Sequence, residues 1–420
     1  MTKTNSLDMI LAGGPGSRLG ILTRDRTKPA VPFGGHNRII DPAVNNLVNS
    51  GSTYIVVIVQ YKPGSLIRHL NNTWDPVMME RPDFHLGIRH PGSGKLYAGT
   101  ADAVYHNLDL IVEKSPDIVG VFGGDHIYIM DVSQMKQFHL DNGADLTIAA
   151  LPVPVGHARG ELGVLVADAK GNVVDFKEKV QDPPEIPKMT GFCWASMGNY
   201  IFGRRFLEST LEADAGKIHL ESNHENRALV ASSRGRYTTG DFGYDIIPGA
   251  VEKGRKVMLY DFRLNNPDAV PILGYWRDVG TLDQFIEANF DLLGPEPKFV
   301  LDNPGWAIRT YDESHGREVR GREFAHNTIL ANGVVLDRCL VKDSIVSYNV
   351  HVGPNSEVEQ SIVMGSNRIG KNVRMRRVVA DRGANIPDDM EIGFFPEEDK
   401  HHGLPRSPGN YVIVPRNHVF

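Results

Sequence analysis

The last quarter of this 420-residue chain repeats its apolar residues at a fixed spacing. From about residue 330, Val, Ile or Met recurs every six positions with a slip of one, so that column members lie 17 residues apart. Two columns hold Val335, Val341, Val352, Val358, Ile369, Met375, Ile386 and Ile392, and a companion column holds Ile345, Ile362 and Val379. Neither helices nor hairpins give this period, whereas stacked coils of three short strands do. The repeat predicts a short parallel β-helix with inward-facing columns, whose open edge is covered by the tail or by another subunit.

The first half of the chain alternates strand-like and helix-like segments. The short runs of branched apolar residues are Met9–Leu11, Tyr54–Gln60, Ile118–Gly123 and Asp145–Leu151. Such alternation is typical of an α/β domain with a mostly parallel sheet, in which ligands bind at the carboxyl ends of the strands. The Pro-rich stretch Leu292–Trp306 separates the two patterns. We therefore expect an α/β domain over 1–292, a linker over 293–325 and the β-helix over 326–420.

Charge and cysteine content exclude several classes of function. The net charge is −6, whereas a nucleic-acid-binding domain is usually basic. No apolar run reaches the ~18 residues of a membrane span, and the N-terminus does not resemble a signal peptide. The two cysteines, Cys193 and Cys339, fit no metal or disulfide spacing. We therefore expect a cytoplasmic protein that binds neither nucleic acid nor a membrane and that meets anions with a local cluster of cations.

One such cluster lies in Ile10–Gly35, which contains six glycines. Glycines let backbone N–H groups approach a phosphate, and Arg18 and Lys28 lie in the same stretch. Leu19 stands where the dinucleotide-binding fingerprint needs glycine, and the Gly-Lys-Ser/Thr of a Walker A loop is absent from the sequence here. The stretch predicts a phosphate loop of another kind, with a generic surface turn as the alternative.

Acidic residues follow two of the strand-like runs. Asp125 comes directly after a run that ends in Gly-Gly, and Mg²⁺ prefers such oxygen ligands. Its alternative role as a helix N-cap suits Asp131 better. Asp278 is a second candidate ligand, although the sequence leaves open whether the two meet. Glu178 and Lys179 suit a sugar phosphate, since a carboxylate accepts from hydroxyls and an ammonium holds phosphate, but they also fit a solvated charge run.

Nine short motifs occur in an order that resembles a known family. They are LAGGPGSRL, KPAVPFGG, RIID, GTADAV, GDHIY, EK, ASMGNYIF, DFGYDIIP and YWRDVGTLD. This order resembles the sugar-1-phosphate nucleotidyltransferases, and most closely the bacterial ADP-glucose pyrophosphorylases (glucose-1-phosphate adenylyltransferases). The resemblance implies a Rossmann-like nucleotidyltransferase domain followed by a left-handed β-helix. It also implies that AMP passes from ATP to glucose 1-phosphate with Mg²⁺, as the committed step of glycogen synthesis, in a homotetramer.

The resemblance assigns roles to matching positions. Arg18 and Lys28 would neutralise the leaving pyrophosphate, and Asp125 and Asp278 would hold Mg²⁺. ATP would be bound by Leu11, Ala12, Gly13, Gly14, Gly16, Gln60, Tyr97 and Gly99. Glucose 1-phosphate would be bound by Tyr97, Gly163, Glu178, Lys179, Ser196, Tyr200, Asp241 and Trp276.

Departures from the family pattern concern control more than catalysis. Asp25 stands where relatives carry an activator-binding Lys, while Arg26 remains at a regulatory edge, and the loop Arg89–Lys95 is short. Tyr244 replaces a Lys near the sugar. The resemblance implies phosphorylated effectors between the two domains. Four arginines of the β-helix form either such a site or a solvated face: Arg374, Arg376, Arg377 and Arg382.

Three other functions stay open at this point. The chain fits a sugar nucleotidyltransferase that uses UTP or GTP, or glucosamine 1-phosphate. It also fits a regulatory subunit without catalysis, although such subunits usually lose the catalytic Asp or Lys. An acyltransferase would need a catalytic His between coils, and His351 is a poor candidate for that role.

Overall fold

A computed structural model describes residues 5–14, 16–92, 96–221, 226, 230, 236–266 and 274–420. Part of the predicted short loop, residues 93–95, lies outside the described residues. Within these ranges, nine strands form one mixed sheet. They are β1 (Ser6–Ala12), β2 (Tyr54–Val59), β3 (His85–Arg89), β4 (Ile118–Gly123), β5 (Leu146–Pro154), β6 (Gly163–Ala167), β7 (Val173–Glu178), β8 (Phe192–Gly203) and β9 (Val257–Asp261).

Three of the four predicted strands, β1, β2 and β4, lie at the centre of this sheet and are parallel, whereas the fourth, β5, lies off this centre. β1 pairs in parallel with β2 and β4, and β2 pairs in parallel with β3. The long strand β8 runs antiparallel to β4, β5 and β6, and β9 runs parallel to β5. Alternate residues of β1 are buried on opposite faces, Leu7 and Met9 on one and Ile10 and Ala12 on the other. This two-sided burial explains the continuous apolar runs of the sequence.

Helices cover both faces of the sheet. On the side of Ile10 lie Ile40–Asn49, Gly64–Glu80 and Val132–Asp141. On the side of Met9 lie Thr100–Tyr105, Leu108–Lys114, Arg204–Ala215 and Ile247–Glu252. Further described helices are Val155–Ala158, Leu282–Phe290 and Pro396–His401. The layers leave the carboxyl ends of β1, β2 and β4 open to a cavity, as the sequence predicts.

The C-terminal strands stack into three parallel sheets. One holds Ala325–His326, Leu340–Lys342, Glu357–Glu359, Arg374–Arg376 and Glu391–Ile392. The second holds Ile329–Leu330, Ile345–Val346, Ile362–Val363, Val378–Ala380 and Val412–Val414. The third holds Val335–Leu336, His351–Val352, Arg368–Ile369 and Asn385–Ile386. The strand Val412–Val414 comes from the tail, so the tail adds the last rung of the second sheet.

The register confirms one predicted column and corrects another. Val341, Val358, Met375 and Ile392 pair in sequence and are almost fully buried. In the other column, Val352 pairs with Leu336 and not with Val335. Leu336 is 3% exposed, whereas Val335 is half-buried and lies opposite His351. The first coil is therefore one residue shorter than the predicted 17.

The companion column is real, but its predicted inward direction is wrong. Ile345, Ile362 and Val379 pair in register, and Ile413 continues the row. Ile362, Val379 and Ile413 are buried against residues of the α/β domain, including Leu19, Leu22 and Phe285. This column therefore forms an apolar seam between the β-helix and the α/β domain. An alternation of apolar residues does not by itself say which face meets solvent, core or a second domain.

Polar contacts also join the two parts. Arg26 pairs with Asp381 at 2.6 Å, and Ser347 Oγ donates to the Gly35 carbonyl at 2.6 Å. Glu313 accepts from Arg38 of the α/β domain and from Arg382 of the β-helix. None of the helices in the described ranges is long and apolar enough to span a membrane.

Candidate active site

A cavity of about 490 Å³ opens at the carboxyl ends of the central strands. This volume is typical of a small-molecule site. Fourteen of the predicted site residues line it: Leu11, Ala12, Gly13, Gly14, Gly16, Lys28, Gln60, Tyr97, Gly99, Asp125, Glu178, Lys179, Tyr200 and Asp241. The sequence motifs, which are spread over some 230 positions, thus meet around one space.

The glycine-rich loop after β1 forms one wall. A Cβ at Gly16 would lie 2.6 Å from Cβ of Lys28, and the φ of Gly16 is +61°. A Cβ at Gly13 would lie 3.0 Å from Cβ of Gln60. The buried Thr27 hydroxyl donates to the Gly14 carbonyl at 3.2 Å. Glycine is therefore required because the loop packs tightly on both neighbours, and the loop presents backbone to the cavity.

A lysine lies between two carboxylates at the edge of the cavity. Lys28 Nζ is 2.9 Å from Asp125 Oδ2 and 3.2 Å from Asp278 Oδ1. Burial alone would lower the pKa of Lys28, but the two aspartates raise it above its ordinary value. Burial alone would raise the pKa of Asp125, but Lys28 and His126 hold it well below its usual range. All three groups are therefore held close together, with the Lys28–Asp125 pair ionised at neutral pH.

A short strand pair brings Asp278 to this position. His126–Tyr128 pairs antiparallel with Trp276–Asp278, and the register places Asp278 opposite His126. Trp276 packs against His126 with ring centroids 5.2 Å apart. The pairing settles what the sequence left open, since Asp125 and Asp278 do meet.

The donor set at this point fits a divalent cation. Asp125, His126 and Asp278 offer ligand atoms that all lie within 4.8 Å of one another. Two carboxylates suit Mg²⁺, while an imidazole is more usual for transition metals. His126 was missed as a candidate, although its position beside Asp125 in the GDHIY motif was a usable signal.

Glu178, the last residue of β7, and Lys179 after it form another part of the cavity wall. Lys179 adopts a left-handed backbone with φ +52°, an unusual conformation for a residue other than glycine. A Cβ at Gly163 or at Gly243 would lie 2.5 Å from Glu178 Oε2. Gly163 therefore makes room for the Glu178 carboxylate from behind and is not among the residues that line the cavity.

Asp241 and Gly99 belong to two segments of the cavity wall that pack against each other. Asp241 caps the short helix Phe242–Ile246 by accepting from the Gly243 amide at 2.8 Å, and its other oxygen accepts from Thr100 Oγ1 at 2.9 Å. A Cβ at Gly99 would lie 2.4 Å from the Gly240 carbonyl oxygen. Thr100 lines the cavity and was another residue that sequence reasoning missed.

Four other predicted residues stand behind the lining or beside it. Arg18 is half-exposed and pairs with Glu161. Ser196 Oγ accepts from the Gly198 amide at 3.2 Å, beneath the cavity wall. Trp276 packs on His126, and Asp278 contacts the lining through Lys28. These residues border the site without facing the cavity directly.

A second cavity of about 550 Å³ lies where the β-helix meets the α/β domain. It is lined by Asp25, Arg38, Lys62, Gly64, Ser65, Arg68, Arg382 and Arg416, and we call it the basic cleft. Of the four predicted β-helix arginines, Arg382 alone is among these residues. Arg374 and Arg376 are exposed and pair with glutamates of neighbouring rungs, and Arg377 donates to the Gly409 carbonyl at 2.7 Å. The predicted cluster is thus dispersed, because Arg374 and Arg376 share one face of a strand while Arg377 and Arg382 follow that strand and have other partners.

Family comparisons match both parts of the chain. The nucleotidyl transferase family model matches residues 7–294, and the model for GlmU-like C-terminal hexapeptide repeats matches residues 314–414. The hexapeptide match, with the stacked parallel strands, fits a left-handed β-helix.

Curated relatives match over the full length. A glucose-1-phosphate adenylyltransferase of Deinococcus radiodurans is 40% identical, with all of both chains covered. The enzyme of the same name from Thermus thermophilus is also 40% identical over all of both chains. That of Cutibacterium acnes is 37% identical, with 98% of this chain and 97% of the relative covered.

Proposed function

Because the chain belongs to the nucleotidyl transferase family, we propose that it transfers AMP from ATP to α-D-glucose 1-phosphate, giving ADP-glucose and pyrophosphate. The single observation that carries this proposal is the contact of Lys28 with both Asp125 and Asp278 at the rim of a cavity walled by the glycine loop. Such a site suits a polyphosphate that reacts at its α-phosphorus.

The reaction is an in-line displacement. A phosphate oxygen of glucose 1-phosphate forms a bond to the α-phosphorus of ATP, and the bond from that phosphorus to the bridging oxygen breaks as pyrophosphate leaves. The enzyme forms no covalent intermediate, so it acts by positioning the reactants and by stabilising charge. Two like charges about 4 Å apart repel by about 4 kcal/mol at an effective dielectric of 20. The protein therefore needs cationic groups that contact each of the two reactants.

The cations divide between the two reactants. Lys28 and the backbone of Leu11–Gly16 would meet the triphosphate, and Arg18 would join them once its contact with Glu161 opens. Asp125 and Asp278 would hold Mg²⁺, which would supply positive charge to offset that of the phosphates. Gln60, Tyr97 and Gly99, which also line the cavity, would contact the adenine.

Glucose 1-phosphate would bind beside Glu178 and Lys179. Lys179 would hold its phosphate, while Glu178 would accept hydrogen bonds from sugar hydroxyls. Tyr200 and Asp241 also line the cavity, while Gly163 packs against Glu178 and Ser196 and Trp276 stand outside the lining. These residues would complete the sugar site. Asp241 also caps the helix that starts at Phe242, so its side chain is held in place before a sugar arrives.

We propose further that the basic cleft takes a phosphorylated effector. Four arginines and Lys62 line the cleft with one carboxylate, Asp25, and Glu313 pairs with two of the arginines, Arg38 and Arg382, so the cations still outnumber the carboxylates. Such a charge excess favours an anion. Binding can be measured as a rise in melting temperature with sugar phosphates, which Arg68→Ala should reduce. The predicted domain limits, homotetramer, cytoplasmic location and role in glycogen synthesis stay predictions.

A substrate panel tests the main proposal. Purified protein is given ATP, UTP or GTP with glucose 1-phosphate or glucosamine 1-phosphate, and pyrophosphate release is measured with Mg²⁺. The expected result is the highest kcat/KM with ATP and glucose 1-phosphate. A much higher value with UTP or with glucosamine 1-phosphate would instead support the alternative substrates. Absence of turnover with every pair would support a regulatory subunit.

A further inference from the structure

We infer that Arg26 is a positioning residue through which the β-helix sets the place of Lys28 in the active site. The expected effect on catalysis rests on the proposed function, whereas the contacts described below are observed in the structure whatever the reaction is. Three consecutive side chains, Arg26, Thr27 and Lys28, reach three different parts of the molecule.

Arg26 reaches the β-helix. Its Nη2 is 2.6 Å from Asp381 Oδ1, and the two side chains are 5% and 2% exposed. Its Nε donates to the Leu22 carbonyl at 3.0 Å. Arg26, which was predicted to lie at a regulatory edge, is therefore buried between the two domains. A buried ion pair has a fixed geometry because either charge left alone in the interior is strongly unfavourable.

Asp381 is itself held firmly by the coils around it. Its amide donates to the Val414 carbonyl at 2.9 Å, and its carbonyl accepts from Asn367 Nδ2 at 3.0 Å. Its carboxylate also accepts from the Arg382 amide at 2.7 Å. The carboxylate therefore gives Arg26 a fixed partner that belongs to the second domain.

Thr27 and Lys28 continue this connection into the active site. The Thr27 hydroxyl lies 3.2 Å from the Gly14 carbonyl and 3.4 Å from the Ala12 carbonyl, so this residue ties the segment to the glycine loop. Lys28 contacts Asp125 and Asp278. A shift of Arg26 would move Thr27 and Lys28 with it, because backbone geometry couples neighbouring residues. A displacement of about 1 Å at a catalytic group can cost up to ~100-fold in rate.

The test compares Asp381→Asn with a control in the full-length protein. Asp381→Asn removes the charge that Arg26 faces. Ser347→Ala removes a different buried contact between the same two domains, the hydrogen bond to Gly35. Both variants are measured for kcat, for KM of each substrate and for backbone hydrogen exchange in peptides that cover residues 24–30.

Asp381→Asn should lower kcat about tenfold and leave KM for glucose 1-phosphate within about twofold, because Lys179, the proposed ligand of the sugar phosphate, belongs to a different segment of the cavity wall, after β7. Exchange in residues 24–30 should become faster, while exchange in the central strands stays at the wild-type rate. Ser347→Ala should change neither quantity. Arg26→Ala should lower kcat, and the conservative Arg26→Lys, which keeps the charge, should recover part of that loss. This pair of variants replaces Asp381→Asn in the test if Asp381→Asn does not fold.

The inference is overturned if Asp381→Asn keeps wild-type kcat and exchange in this segment. It is also overturned if exchange rises equally throughout both domains, as a general loss of stability predicts. If the wild-type protein shows no adenylyl transfer, the proposed function fails, but the exchange comparison still decides whether Asp381 fixes the segment around Lys28.

Discussion

In the β-helix, most strands pair with residues 17 positions away, whereas at the cavity Lys28 meets partners 97 and 250 positions away. The first region repeats one local rule, and each rung contacts mainly its neighbours. The second depends on a single meeting of distant segments. We therefore expect that a substitution in one rung lowers the stability of the β-helix, which still has other, similar rungs. A substitution at the Lys28 contacts should abolish a catalytic arrangement that has no second copy in the described residues.

The largest expected effect comes from Asp125→Asn. The amide keeps the shape but loses the charge that Lys28 and a divalent cation need, so kcat should fall by about 1000-fold, or ~4 kcal/mol. Steady-state rates and the melting temperature check this. The exposed Asp109→Asn serves as a control that should keep wild-type kcat. A near-wild-type rate for Asp125→Asn would show that the assignment of the metal ligand is wrong.

A smaller effect is expected in the β-helix, from Leu336→Ala. Leu336 is buried in the interior column, so the cavity should lower the free energy of unfolding by about 3 kcal/mol. The neighbouring Val335→Ala should cost less than about 1 kcal/mol, since that side chain is half-buried. Denaturant titration measures both. Equal losses would contradict the register that places Leu336 beneath Val352.

Next in size is Lys179→Ala. Removal of a charged contact to the sugar phosphate should lower kcat/KM for glucose 1-phosphate by about 30-fold, or ~2 kcal/mol, mainly through KM. Lys177→Ala is a matched control, because Lys177 lies two residues earlier and pairs with Asp175 at the surface. If both variants raise KM equally, Lys179 has no special role in binding.

The smallest effect concerns pH. The pKa of Asp125 lies below its usual range, so its contribution to stability is present above about pH 4 and is lost only as pH falls further. The pKa of Lys28 is raised, so its contribution is present below about pH 10.5 and is lost as pH rises through the higher folded value. Between pH 7 and 9, kcat at saturating substrates should therefore change less than about twofold. A titration of kcat in that range that disappears in Asp125→Asn would contradict these pKa directions.

The sequence predicts the periodic parts better than the assembled ones. The 17-residue columns identify the coils because every rung repeats the same steric demand, yet they do not tell that Ile362 and Val379 face a second domain. The sequence motifs contain most of the residues that line the cavity. The contact of Asp278 with Lys28 depends on a three-residue strand pair that no local pattern indicates. The burial of Arg26 against Asp381 depends on how the two domains pack together. The sequence does not predict this burial, because charged residues are usually exposed.

The position of glycines shows the same division. Gly13 and Gly16 stand out in the sequence because they cluster, and the close approach of Gln60 and Lys28 explains them. The motifs that contain or neighbour Gly163 and Gly243 do not indicate that these two glycines together make room for one oxygen of Glu178. The shape of the cavity therefore depends partly on residues without a functional side chain, among them Gly163, which stands outside the lining.

Adenylyl transfer to glucose 1-phosphate is tested most directly by following the label of [α-³²P]ATP in a reaction with glucose 1-phosphate and Mg²⁺. The label should appear in ADP-glucose, with one pyrophosphate released for each ADP-glucose formed. A label that stays in AMP or ADP, with no nucleotide sugar formed, would contradict it.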